Sequence, residues 1–154
     1  MRRLHALGPA AGALVALLAL AALNAAFTPG FASAGTLWNV LLQVAEVLLV
    51  AAGMTLVIAT GGIDLSVGST MAVAGAVAAV TLDRGVAVAV ALALVAALAI
   101  GLVNGALVAR ARVQPIVVTL ATLIAGRGLA QVISHEGALV TIDDPTFLAI
   151  GRGH

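Results

Sequence analysis

Three ionisable side chains stand in an otherwise apolar sequence: Glu46 and Arg127 within long apolar stretches, and Asp64 in the break between two of them. A charge held in hydrocarbon costs a few kcal/mol, so Glu46 should face the interior of a bundle, a partner or a water-filled path. Two carboxylates invite an acid-base reading, but positions 46 and 64 are too far apart along one helix and turn to form a dyad unless the helix breaks between them. Other reactive constellations are excluded. There is no cysteine for thiolate, disulfide or Cys-ligated metal chemistry, and His5, His135 and His154 lack metal-ligand spacing. The segment TGGIDLSVGS (60–69) lacks the lysine and glycine spacing of a phosphate loop. We therefore expect no catalytic residue, metal or cofactor.

Glu46 has polar company. At about 100° per residue, Asn39, Gln43, Glu46, Gly53 and Thr60 fall on one arc of a helix whose other faces are aliphatic. That arc reads either as glue between helices or as part of a solute path. Asn39, Gln43 and Glu46 are path candidates, with Thr119 and Thr122 further along. Arg127 lies within one helical turn of the expected depth of Glu46, which makes a Glu46–Arg127 ion pair a candidate; the alternative is an Arg127 that snorkels to the interface. Gly61 or Gly62 can take the left-handed conformation that ends a helix, and Asp64 can cap the N–H groups of the next. Asp64 is then a plain cap at the cytoplasmic rim, or, if the break lies at membrane depth, lines a wet cavity.

The elements that hold these residues must be membrane helices. Of 154 residues 63% are hydrophobic and 8% charged, where soluble domains carry about 25% charged. Spanning about 30 Å of hydrocarbon takes roughly 20 apolar residues, and five stretches approach this: 10–27, 37–60, 67–82, 86–109 and 116–133. The fold class is all-α, a polytopic helix bundle of about five spans. A basic start and apolar run could pass for a signal peptide, but longer apolar runs follow and the first run reads as an anchor. The positive-inside rule puts Arg2, Arg3, Arg110 and Arg112 in the cytoplasm with the N-terminus, and Arg84 and Arg152 outside. The net charge of +1 rests on few residues and points to no nucleic-acid partner. Ala93, Ala97, Gly101 and Gly105 form a ladder of small residues suited to close helix packing. Residues 134–154 read as a polar outer segment without a core of their own.

Beyond spacing, GMTLVIATGGIDLSVGSTMAVAGAVAA (53–79) resembles the signature of the permease subunits of bacterial ABC sugar importers of the ribose/xylose/arabinose type. GLVNGALVARARVQPIVVTLATLIAGRGLAQVIS (101–134) is similar to the next block of that family, and DDPTFLAIGRG (143–153) to its outer loop. The resemblance marks Gly61, Gly62, Asp64, Ser66, Gly68 and Ser69 as signature residues. It implies an inner-membrane permease, dimeric with itself or a related subunit and embedded in lipid. Its partners would be a cytoplasmic ATPase subunit and a soluble extracytoplasmic sugar-binding protein. Members are considerably longer, so residues 1–154 read as the N-terminal half of such a transmembrane domain. A branched-chain amino-acid or signalling-molecule permease, or a small membrane assembly or regulatory protein, are the competing expectations.

Overall fold

The computed structural model describes residues 9–152 apart from 136 and 139. Its regular elements among the described residues are helices: α1 (Pro9–Phe27), α2 (Ala34–Ala59), α3 (Val67–Thr81), α4 (Val86–Ala109), α5 (Pro115–Ile133) and α6 (Pro145–Arg152), with a 3-10 turn at Leu82–Arg84. The all-α expectation holds. Four of them, α1, α2, α4 and α5, are long and apolar enough to cross a membrane. The fifth expected span is shorter. With 15 residues α3 rises only about 22 Å, less than the roughly 30 Å of hydrocarbon, because Gly85 at φ 102° ends the helical run through the 3-10 turn.

The chain divides into two compact units, Met1–Ala45 and Glu46–His154. In the first, α1 turns into the start of α2 over residues 28–33. Gly30 supplies a positive φ of 79°, the Thr36 hydroxyl donates to the Gly30 carbonyl at 2.9 Å, and the Thr36 N–H donates to the Ser33 hydroxyl at 3.2 Å, satisfying one orphan donor of α2. Asn39 and Gln43 are exposed there.

In the second unit α3 packs against both α4 and α5. The buried apolar side chains are small: Val73 and Ala78 of α3, Ala89 of α4 and Val118 of α5. Helices this thin approach closely, and in lipid dispersion and interhelical hydrogen bonds replace the missing hydrophobic drive. Residues 134–154, expected as a polar outer segment without a core of their own, contain α6. Its start is local chemistry, since the Asp144 carboxylate accepts the Phe147 N–H at 2.9 Å and Pro145 occupies the first helical position.

Candidate functional site at the helix break

The two glycines that end α2 serve different needs. Gly61 takes φ 80°, its N–H donates to the Ile58 carbonyl at 2.9 Å, and the Gly62 N–H reaches back to the Val57 carbonyl at 3.1 Å. This paired closure satisfies two of the last orphan carbonyls and stops the helix. Gly62 is needed for space: a Cβ there would lie 3.3 Å from Val57 Cγ1 and 3.4 Å from its carbonyl oxygen.

Asp64 does not cap the first turn of α3 as the sequence suggested. Its Oδ1 accepts the Ser66 backbone N–H at 2.7 Å and the Ser66 hydroxyl at 2.6 Å, while Ser66, the N-cap residue, makes no side-chain cap bond. The carboxylate folds the turn that precedes the helix. From Ser66 the bonding continues across the bundle. Asn104 Nδ2 of α4 donates to Ser66 Oγ at 3.0 Å, and Thr122 Oγ1 of α5 donates to Asn104 Oδ1 at 2.6 Å. Each donor in the series Thr122, Asn104, Ser66 points toward Asp64, so the relay ends on a carboxylate, the strongest acceptor available. Ser69 Oγ lies 2.8 Å from the Ser66 carbonyl and 3.3 Å from that of Thr122, and the Thr119 hydroxyl donates to the Ile63 carbonyl at 3.1 Å. Ser66, Ser69, Asn104 and Thr119 are all buried. Among the described residues every buried side-chain nitrogen and oxygen has a partner.

One close approach fixes the register. Gly126 of α5 faces Ser69 so tightly that a Cβ on it would sit 2.9 Å from both Ser69 Cβ and Oγ. From Pro115, at about 1.5 Å per residue, Thr119 lies about 6 Å along α5, Thr122 about 10 Å and Gly126 about 16 Å; Asn104 lies about 8 Å inside the end of α4. The break, touching Thr119 and Asn104, is therefore one to two turns inside the ends of its neighbours and not level with them. Non-helical backbone at such a level must be buried in protein or line a wet cavity. Both occur here. The Ser66 side is packed, and a cleft of about 230 Å³ opens beside Thr60, Gly62, Asp64, Asn104 and Thr119.

A family model described as branched-chain amino acid transport system / permease component matches residues 36–145, which include the break and every residue of the relay. The chain belongs to this permease family. It is 43% identical over 91% of its length to the galactofuranose transporter permease protein of Escherichia coli, covering 44% of that protein. To the ribose import permease protein of Escherichia coli it is 45% identical over 83% of its length, covering 40% of that protein. To the fructose import permease protein of Bifidobacterium longum it is 54% identical over 66%, covering 29%. The chain thus spans less than half the length of these curated relatives. No solved structure matches it. Family membership and four apolar helices make this a multi-pass membrane protein.

Within this permease, Asp64, Ser66, Ser69, Thr119 and Thr122 come together at the break. Gly68 is exposed. Glu46 is exposed on α2, and Arg127, also exposed, lines a separate cavity of about 520 Å³ with Ala76, Gln131 and Ser134. Of the small-residue ladder, Ala93 and Ala97 are half-buried, while a Cβ at Gly101 or Gly105 would meet nothing within 4 Å. The described residues contain no cluster of three or more metal-ligating side chains; His5 and His154 lie outside them, as do Arg2 and Arg3. Neither Gly126 nor Asn104 stands among the candidate site residues read from the sequence. Asn104 carried a signal, being the lone polar side chain of α4. Gly126 did not, because its partner comes from another helix.

Proposed function

We propose that this chain forms part of the membrane-spanning permease subunit of an ATP-driven, binding-protein-dependent importer for a monosaccharide such as ribose. The observation that carries the reading is the 43% identity, across nine-tenths of the chain, to a permease named for galactofuranose, alongside relatives named for ribose and fructose. In this reading the N-terminus is cytoplasmic and the membrane is the bacterial inner membrane. ATP is hydrolysed on a separate cytoplasmic subunit, and the chain itself is not an enzyme. A soluble extracytoplasmic protein delivers the sugar, and a second permease subunit, identical or related, completes the pathway. The solute-path candidates are Asn39, Gln43 and Glu46 on α2 and, separately, Thr119 and Thr122 on α5, and a Glu46–Arg127 pair holds two charges that would otherwise stand alone in lipid. Transport follows alternating access, the helices rocking about a site that opens to one side at a time.

The description of the family model favours a second cargo, a branched-chain amino acid. Uptake of radiolabelled ribose, fructose, galactose and leucine in cells with and without the gene decides between them. Loss of one sugar's uptake, restored by the intact gene, is the expected result. Loss of leucine uptake alone, or no change in any sugar, would overturn the sugar reading.

A further inference from the structure

The cleft at the break has a specific chemistry. Both hydrogen bonds to Asp64 fall on Oδ1, and the half-buried carboxylate lines the cleft. Thr60 and Thr119, whose hydroxyls donate to the Val57 and Ile63 carbonyls, present oxygens whose lone pairs can accept. Asn104 donates one of its two amide hydrogens to Ser66, leaving the second. The walls therefore offer several acceptors, one of them charged, against a single donor. A ligand that matches is rich in hydroxyl donors and carries no negative charge. A carboxylate or phosphate would be repelled by Asp64. For size, an apolar cavity of about 150 Å³ takes benzene; scaled to about 230 Å³, the room suits a pentose. Gly62, Gly101 and Gly105 form the wall, and at Gly101 and Gly105 no atom stands within 4 Å of a Cβ position. Gly101 and Gly105 thus keep that part of the wall open.

We propose that this cleft is a binding subsite for a neutral monosaccharide, with Asp64 as its principal hydrogen-bond acceptor and Thr60, Asn104 and Thr119 completing it. The proposal rests on the sugar-importer reading and adds where on this chain the sugar is held. Alternating access then has a physical object here: the sugar sits beside non-helical backbone one to two turns inside the ends of α4 and α5, where a change at the Gly61–Gly62 stop alters the wall of the site.

The chain has no cysteine, so a single Gly105→Cys is a unique reporter. In nanodiscs the variant should react with a water-soluble maleimide, and millimolar ribose, fructose or galactose should slow the reaction several-fold, while leucine and ribose 5-phosphate should not. A Gln131→Cys control in the separate cavity should be unaffected by any of them. Adding Asp64→Asn to the Gly105→Cys chain should weaken the protection by about tenfold or more, as expected for loss of a hydrogen bond to a charged group. Should Gly105→Cys fail to insert, Gly101→Cys replaces it. The proposal is overturned if neither cysteine is reached by the reagent, if no monosaccharide protects, or if leucine or the phosphorylated sugar protects equally. Uptake measurements separate the two failures: gene-dependent sugar uptake without protection removes this subsite and leaves the importer, whereas sugar uptake that ignores the gene removes the importer itself.

Discussion

Gly126→Ala tests the register on which the break depends. The added Cβ would lie 2.9 Å from Ser69 Cβ and Oγ, against about 3.5–4.0 Å for an unstrained carbon contact, so α3 and α5 must separate by about 0.6–1 Å. Ser69 cannot easily yield, because it is buried and its hydroxyl is held between the Ser66 and Thr122 carbonyls. Overpacking of this kind costs about 1–3 kcal/mol, and a weakened Ser69 hydrogen bond adds about 1 kcal/mol. Replacing glycine by alanine within a helix returns up to about 1 kcal/mol. The net expectation is destabilisation by about 1–3 kcal/mol. Gly128→Ala, two positions on and with nothing within 4 Å, gives the reference, since it receives the helix gain and none of the clash. Unfolding of the micelle-embedded chain by titration with a denaturing detergent, followed by circular dichroism, measures both. Ser69→Gly should rescue Gly126→Ala, whereas Ser69→Ala should not, because it keeps the clashing Cβ. If Gly126→Ala matches Gly128→Ala within about 0.5 kcal/mol, or if Ser69→Gly only adds to the damage, the close approach of α3 and α5 is wrong.

Asn104→Ala should cost about 1–3 kcal/mol by leaving Thr122 and Ser66 without their partner; Thr122→Val should cost less, and the double variant less than the sum, which the same titration reads. Gly61→Ala should destabilise by about 1 kcal/mol because of its φ of 80°, and Gly61→Asn by less, since asparagine tolerates that region. Glu46→Gln and Arg127→Gln should each impair assembly or uptake, and the double variant should show coupling; two additive effects would dismiss the proposed pair.

Helix positions were legible because hydrophobic run length and punctuation are local. The expected span 86–109 coincides with α4, and 116–133 with α5 to within the proline at its start. Asp144 and Pro145 also spell out a helix start, yet α6 was overlooked because the segment around it lacked the length that marks a membrane span. The site was legible in part. A double glycine and a buried-looking aspartate announced an interruption, but the depth of that interruption is set by Thr119, Thr122 and Gly126 on a helix some fifty residues later. Periodicity within one helix says nothing about which turn of another it will meet. Thr119 and Thr122 were singled out as hydroxyls for a solute path, and the fold commits Thr119 as a donor to the break and Thr122 as a donor to Asn104; neither role follows from their spacing.

The relay explains why so polar a segment is tolerated among helices with so little charge. Seven backbone positions from Thr60 to Ser66 leave the helical ladder, and in a lipid environment each unsatisfied group there would cost several kcal/mol. The chain meets that demand with side chains from two helices and from the break itself: Thr119 of α5 covers the Ile63 carbonyl, Ser69 of α3 the Ser66 carbonyl, and Asp64 of the break the Ser66 N–H. A helix cap alone would not require Asn104 or Thr122. Their presence joins α4 and α5 to the same carboxylate, so any motion that shifts α4 or α5 along α3 strains bonds that end on Asp64. Such an arrangement holds one geometry firmly while making its loss cooperative, which is the property the proposed alternating-access reading asks of the break.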